Sequence, residues 1–436
     1  MKNKVSVAVV ICLLFSAITI YAAESNNIMT LSKEEVINLA FKNNAEIVKL
    51  EKDLEIAKEK LVEAKASFYP KVDLSSSYTR LGEAPVTPDF TTNPFSMKEG
   101  SPNSYSFQLG LQYPLYMGGQ IRIGYEQAQK DVEMAELNLK QKQHQLREEV
   151  LTQYYNILQA KKMVELSKQN INKIERYVEI AQANKEVGIF TNTEVLQARI
   201  NLIRGQQGLL KAENGLKLAK LALKNTLSLE DNVILELNDE LNWQEVQLTE
   251  EEVKEYAFAN RIEFKLLDLT EDKLELGLDA VKGSKYPTIS LASSYSTQSD
   301  KLEIGDGDWN VTLMLNYELF DGGIKKSKIK QTEKELEKFQ IDKKQARDGI
   351  ELEIKQSLLK LSEAKKSIEL MKLSLEESKK NLNDTELKYQ EGIITSFDVL
   401  NAQTTLQEVQ TDYYQAIYDY NLAVVNLERV MAKVID

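Results

Sequence analysis

The sequence has 436 residues, 28% of them charged, with 7 prolines and a formal net charge of −12. That length exceeds what one ordinary domain needs, scarce proline favours helix over loop, and the acidic balance excludes the basic footprint of a nucleic-acid binder. The one cysteine, Cys12, leaves the rest of the chain without disulfides or cysteine-ligated metal.

Residues 1–23 read as a secretory signal peptide. Lys2 and Lys4 supply the positive start, Val5 to Ile20 the apolar core, and Tyr21-Ala22-Ala23 a cleavage zone. The alternative is a membrane anchor, for which the run is short. A lipoprotein would need a cysteine at the cleavage point, and Cys12 lies inside the apolar core. Beyond residue 23 there is no long apolar run, so any crossing of a membrane has to be made without a transmembrane helix.

Ser32-Lys33-Glu34-Glu35 is a capping box. It predicts a helix running to about Ser67, with Val36, Leu39, Ala40, Ile47, Leu50, Leu54, Ala57 and Leu61 on one stripe. Tyr69-Pro70 ends it. Val72 to Arg80 reads as a strand, residues 81–104 as a proline-rich loop, and Tyr105 to Tyr113 as a strand of period 2, giving a hairpin over about 72–116. Gly118-Gly119 turns the chain into a helix over Gln120–Glu186, 67 residues without proline. At ~1.5 Å per residue it would be roughly 100 Å long. A return helix follows over 193–227, then an acidic connector, 228–248, with a short strand-like Val233-Ile234-Leu235.

The unit then recurs. Thr249 stands 217 residues after Ser32, Ala257-Phe258 217 after Ala40-Phe41, and Tyr286-Pro287 217 after Tyr69-Pro70. Past the hairpin the spacing falls to 204: Gly322-Gly323 matches Gly118-Gly119, and Gly392 matches Gly188. Constant offsets on both sides of one shortened loop, about Gln298 to Asp308, imply an internal duplication. Repeat 1 is 24–227 and repeat 2 is 249–436. The second repeat is expected to hold a helix over 249–284, a hairpin over about 288–319, a long helix over 324–390 and a return helix over 396–433.

In the second hairpin one face reads Trp309, Val311, Leu313, Leu315, Tyr317 and the other Asn310, Thr312, Met314, Asn316. Each strand is about nine residues, the length a tilted strand needs to span a bilayer. Tyr78, Tyr105, Tyr295 and Trp309 are expected at one interfacial level and Tyr113 and Tyr317 at the other, as girdles. The alternative is a soluble sheet packed on the helices; against it, each hairpin joins the long helices at one end only. Four strands cannot close a barrel, and an open edge in lipid leaves backbone groups unpaired. Two copies would give eight strands with a filled interior; three would give twelve with a bore, the preferred number. Along the long helices a step of four then three visits Leu146, Val150, Gln153, Ile157 and onward to Ala181, and in the copy Ile350, Ile354, Ser357, Leu361 and onward to Leu382, a coiled-coil seam. An ordinary antiparallel stalk would explain these helices but not the strands between them.

In this order and spacing the sequence resembles the TolC family of outer-membrane efflux channels over about Leu31 to Ala432. The features that carry the resemblance are the duplication, the Tyr-Pro before each hairpin and the Gly-Gly opening each long helix. The tips Gly188…Glu194-Val195-Leu196-Gln197-Ala198 and Gly392…Asp398-Val399-Leu400-Asn401-Ala402 carry it too. The resemblance implies a mainly α chain with a small β part: long antiparallel coiled-coil helices, four transmembrane β-strands per protomer, and a trimeric α/β-barrel channel-tunnel. It further implies a homotrimer in outer-membrane lipid reaching into the periplasm, an equatorial position for 228–248, and tips meeting a periplasmic adaptor (membrane fusion protein) and an inner-membrane transporter. Its expected work is passive conduction of drugs, small molecules or proteins in a tripartite efflux or type I secretion system. The rivals are a periplasmic adaptor, which would carry one helical hairpin, and a structural coiled-coil protein.

No catalytic constellation, cofactor motif or metal set is visible, so no enzyme is expected. His144, the one histidine, is expected to be solvated. Glu194 and Asp398, 204 apart, are candidates for the periplasmic mouth, where a trimer would gather six carboxylates that favour cations. The same residues complete Thr191-x-x-Glu194 and Thr395-x-x-Asp398 capping boxes, a role that does not exclude the first. The family pattern often has a further acid where Asn401 stands and an arginine where Ile394 stands, so that closing contact must differ or be missing here. Gly188 and Gly392 are expected to end the long helices at positive φ. With Ile189, Phe190, Ile393 and Phe397 they make an apolar tip, the candidate adaptor-docking surface.

Overall fold

A computed structural model describes residues 27–88, 97–230, 232–303, 305–391 and 393–433, and the expected signal peptide, 1–23, lies outside them. In chain order come β1 (Asn27–Leu31), α1 (Lys33–Asn43), α2 (Ala45–Ala66), β2 (Lys71–Arg80), β3 (Val86–Pro88), β4 (Met97–Glu99) and β5 (Asn103–Met117). Then follow α3 (Gln120–Glu186), α4 (Asn192–Thr226) and β6 (Val233–Leu237). The second half holds α5 (Glu250–Asn260), α6 (Ile262–Gly283), β7 (Thr288–Ser299), β8 (Asp308–Asn316), α7 (Ile324–Gln390) and α8 (Ser396–Met431).

Both long helices have the expected 67 residues. Every position of the predicted seam, Leu146 to Ala181 and Ile350 to Leu382, is buried or half-buried. The single helices expected before each hairpin are each two. Their breaks fall at Asn44 and Arg261, where ψ swings to 123° and 130° while the N–H still reaches Ala40 O and Ala257 O at 2.9 Å. The apolar stripe runs on across each break, so periodicity could not reveal it. The local cause is polar: Asn260 Nδ2 donates to Tyr256 O at 2.9 Å, offering a terminal carbonyl a side-chain partner in place of the next helical turn. Asn43 stands at the matching place in the first half. The return helices α4 and α8 close on Ser228 (φ 52°) and Ala432 (φ 53°), with Leu229 N–H on Lys224 O and Lys433 N–H on Glu428 O, both 3.0 Å. This is a Schellman closure made without glycine.

The chain divides into two compact units, each drawn from both halves of the sequence. One comprises the segment up to Asn44 with Glu149–Gln244 and Lys366–Leu422; the other comprises Ala45–Glu148, Glu245–Lys365 and the segment from Ala423.

In the first unit β1, which the sequence reading missed, pairs in parallel with β6, Leu31 facing Leu237. The acidic connector is anchored rather than free. The Tyr154 hydroxyl donates to the Asp239 carboxylate, Trp243 meets Tyr420 edge-on at 5.1 Å, and Asn421 Nδ2 donates to Asn242 O at 3.0 Å. Tyr154, Ile157, Leu223 and Leu227 are fully buried here, and the three aliphatic side chains each contribute about 1.5–3 kcal/mol by burial.

The second unit carries an antiparallel sheet of order β2-β5-β7-β8. One row across it reads Leu74, Leu109, Tyr295, Trp309. Facing residues share a side of the sheet, so Val72, Leu74, Phe107, Leu109, Leu291, Val311 and Leu313 all lie on one face. The opposite face is a hydrogen-bonded polar layer. Ser77 and Ser106 hydroxyls meet at 2.7 Å, Gln298 Nε2 donates to Ser104 Oγ at 2.8 Å, and Asn310 Nδ2 to Ser294 Oγ at 2.9 Å. The edge strands β2 and β8 are exposed along their whole length.

Three expectations change in this unit. Within the proline-rich loop β3 and β4 pair, Val86 facing Glu99, and Pro88 is tolerated as the last residue of an edge strand. The second hairpin ends at Asn316, so Tyr317 lies past it. The aromatic residues expected to share one level are staggered in register. Tyr78 faces Tyr105, their rings 4.8 Å apart, and Tyr295 faces Trp309, but Tyr295 pairs with Leu109, four residues along β5 from Tyr105. Tyr113 faces Leu291.

Arg261, 4% exposed, pairs with Glu263 at 2.8 Å and Glu353 at 2.6 Å, and Arg429 joins Glu353 at 2.7 Å and Glu148 at 3.1 Å. His144 is half-buried, not solvated: burial first and Arg147 second hold its pKa below the ordinary value, against Glu263.

Candidate functional site

Two helix-to-helix turns, α3 to α4 and α7 to α8, carry the candidate site, and both belong to the first unit. At the first, Gly188 has φ +78°, and the N–H groups of Ile189 and Phe190 reach Asn184 O at 2.8 and 3.2 Å. A Cβ there would meet nothing within 4 Å, so the backbone angle alone calls for glycine. At the second turn Ile393 N–H reaches Lys388 O at 3.0 Å. Gly392 lies outside the described residues.

The carboxylates face back into the turns. Glu194 Oε2 accepts the Thr191 N–H at 2.7 Å and its hydroxyl at 3.2 Å. Asp398 Oδ2 accepts the Thr395 N–H at 2.9 Å and its hydroxyl at 2.7 Å. The Thr395 hydroxyl first and its N–H second hold the Asp398 carboxyl below the ordinary carboxylate value. Each cap uses one carboxylate oxygen. Glu194 is half-buried; Asp398 and, one turn on, Asn401 are exposed.

Behind each cap lies a small core. Val195 and Ala198 pack on Ala181 with Val178 and Phe190. Val399, Ala402 and Leu406 pack on Leu382 with Tyr177, Leu375 and Tyr389. Phe190, expected as part of the docking surface, therefore points inward, its ring 6.4 Å from that of Tyr389. Ile189, Ile393 and Phe397 are exposed at 69%, 66% and 60%, and Val187, which the sequence reading passed over, joins them at 70%.

A cleft of about 950 Å³ opens beside these cores, lined in part by Lys173, Arg176, Tyr177, Glu194, Glu386 and Tyr389. The Tyr177 hydroxyl donates to Glu386 Oε1 at 3.2 Å. Burial first and the Glu386 carboxylate second push the Tyr177 phenol up; burial and then Glu194 do the same to Tyr389. Both phenols stay protonated donors at neutral pH. Neither tyrosine was singled out by the sequence reading. For Tyr389 the available signal was an aromatic ring just before the glycine of the turn; Tyr177, beside seam position Val178, carried none.

The arrangement offers apolar points, acids and phenols, and no nucleophile held against a base. Among the described residues no cluster of three or more His, Cys, Asp or Glu is placed to hold a metal ion. Among them, too, no helix is long and apolar enough to cross a membrane.

Residues 36–228 and 257–433 match the family described as outer membrane efflux protein. The outer membrane efflux protein BepC of Brucella suis is 23% identical over 389 residues, covering 88% of this chain and 81% of that one. Outer membrane protein TolC of Vibrio cholerae is 21% identical over 408 residues, covering 91% and 90%. The crystal structure of CusC, studied for its folding and transmembrane channel formation, superposes with a TM-score of 0.78 at 16% identity, covering 92% of each chain.

Proposed function

The chain belongs to the outer membrane efflux protein family, the TolC family, whose members are passive channels rather than enzymes, and from that premise we propose that it is the outer-membrane channel-tunnel of a tripartite efflux or type I secretion system. Three copies assemble, after removal of residues 1–23, into a twelve-stranded barrel in outer-membrane lipid continued by a helical tunnel through the periplasm. The tunnel conducts drugs, small molecules or proteins delivered by an inner-membrane transporter and a periplasmic adaptor, and the transporter chooses the cargo.

One observation carries this reading: a four-stranded sheet with one exposed apolar face, one hydrogen-bonded polar face and two open edges. In lipid those edges leave N–H and C=O groups unpaired at several kcal/mol each, and pairing with further copies removes the cost while turning the polar face to a water-filled bore. The stagger of the Tyr78–Tyr105 and Tyr295–Trp309 pairs is the kind a tilted, sheared barrel produces. Duplication is supported by features recurring at the sequence offsets: breaks at Asn44 and Arg261, closures at Ser228 and Ala432, and paired glycines of positive φ at 118–119 and 322–323.

At the tip, Glu194 and Asp398 cap their helices and, repeated in a trimer, ring the periplasmic mouth; Ile189, Ile393 and Phe397 present the adaptor-docking surface with the turns at Gly188 and Gly392. The test is purified protein in detergent and in planar bilayers. A heat-modifiable trimer with single-channel conductance is expected, and E194Q with D398N lowers its cation selectivity. A monomer that stays soluble without detergent and conducts nothing overturns the reading.

A further inference from the structure

The two hairpins are the same object in backbone register. Leu74 faces Leu109; adding the offsets of the two halves, 217 before the hairpin turn and 204 after it, gives Leu291 and Leu313, which also face each other. The agreement holds for every pair of the β7–β8 ladder: Val72 with Leu111 becomes Ile289 with Leu315, and Tyr78 with Tyr105 becomes Tyr295 with Trp309. The joint between one hairpin and the next is also visible, because β5 pairs with β7 inside the chain, Leu109 facing Tyr295 and Tyr113 facing Leu291.

Applying the same step once more turns β5 into β8 and β7 into β2 of a following copy. We propose that β8 pairs with β2 of a second copy of this chain in one register: Leu313 opposite Tyr78, Met314 opposite Ser77 and Tyr317 opposite Leu74. This rests on the channel reading and deepens it by fixing which residues meet at the seam between copies.

The chemistry of the two edges fits. The register continues the apolar face with Leu313–Tyr78 and Tyr317–Leu74, and the polar face with Thr312–Thr79 and Asn316–Ser75. A slip by one residue would set apolar side chains against the polar layer across the whole joint. The β5–β7 ladder shifts by one between Pro114 and Tyr116, then sets Met117 against Thr288. Carried over, the shift sets Phe320 against Val72 and Asp321 against Lys71, an apolar contact beside an opposite-charge pair. Phe320 is 88% exposed and Val72 61% exposed in the single chain. Glu318 comes opposite Asp73, and Lys325 already holds Glu318 at 3.0 Å, which offsets the repulsion.

Registers displaced by two residues keep the faces matched, so the experiment must separate them. Residues 24–436 contain no cysteine, which allows paired cysteines to be placed freely. L313C with Y78C on the apolar face and M314C with S77C on the polar face are oxidised in outer-membrane vesicles. They are compared with L313C–S76C and L313C–R80C. Facing Cβ atoms lie about 5 Å apart and those displaced by two about 7–8 Å, so the matched pairs should cross-link into covalent dimers and trimers about tenfold faster. Faster cross-linking of a displaced pair, in protein that still forms a conducting trimer, overturns the register and leaves the channel reading standing. Absence of cross-links in every pair, together with a monomer and no conductance in the unsubstituted protein, overturns both. The two matched pairs lie on opposite faces, so a folding defect at one leaves the other to decide.

Discussion

Gly118 and Gly283 meet backbone to backbone: a Cβ on Gly283 would lie 2.2 Å from the Gly118 carbonyl oxygen. Gly118 opens α3 and Gly283 closes α6, so this contact sets how tightly the sheet's two inner strands join their helices. Gly283→Ala forces the backbone apart and should destabilise the protein by about 1–3 kcal/mol. Gly215→Ala, on α4 with open space around it, should gain up to about 1 kcal/mol. Thermal unfolding in detergent reads both, and equal melting temperatures for the two variants would show that the contact carries no strain.

Ser228 and Ala432 hold φ of 52° and 53° at the ends of α4 and α8. An L-residue with a side chain pays about 1 kcal/mol for this conformation. Ser228→Gly and Ala432→Gly should each raise stability by a comparable amount, seen as a higher unfolding midpoint. A drop in both would mean that the Ser and Ala side chains matter more than the backbone angle.

Glu353 bridges Arg261 and Arg429. Burial pushes its pKa up, but the hydrogen bonds from Arg261 and then Arg429 outweigh it, and the net shift is downward. A depressed carboxylate stabilises the fold fully above its unfolded pKa, about 4.3, and loses that contribution as pH falls through the folded value. Glu353→Gln should therefore cost about 1–2 kcal/mol at neutral pH, after discounting for its partial exposure. The difference from the parent should shrink below about pH 4. A gap that stays constant into acid would remove the ion pair as its cause.

Trp309 is 75% exposed on the apolar face of the sheet, whereas Trp243 packs on Tyr420. These are the two tryptophans of the chain. In vesicles, brominated lipid should quench the fluorescence of W243F, which keeps Trp309, and leave W309F nearly untouched. Equal response from the two would place the sheet outside the bilayer.

At the tip the exposed and inward apolar residues should separate in function. I189E with F397E should abolish cross-linking to the adaptor while leaving trimer melting unchanged. Phe190→Ala, which empties the core under Val195 and Ala198, should lower local stability by about 2–3 kcal/mol and affect docking only through it. Intact adaptor cross-linking in the double variant would take the docking surface away from these residues.

Much of this was legible in the chain itself, because its signals are local. The 67-residue helices follow from an unbroken seam without proline, their turns from Gly188 and its positive φ, and the caps from Thr191-x-x-Glu194 and Thr395-x-x-Asp398. The alternation of β8 gave its two faces directly, since successive side chains of any strand point opposite ways.

What tertiary structure alone decided are matters of partner choice. That Leu109 of β5 faces Tyr295 of β7, that β1 finds β6, and that Phe190 turns inward while Ile189 does not depend on contacts between segments far apart in the chain. The breaks at Asn44 and Arg261 were illegible for another reason: the apolar stripe runs across both, and the only local mark is a polar side chain such as Asn260, which periodicity does not weigh. Periodicity records which face of an element is apolar; only packing selects what covers that face.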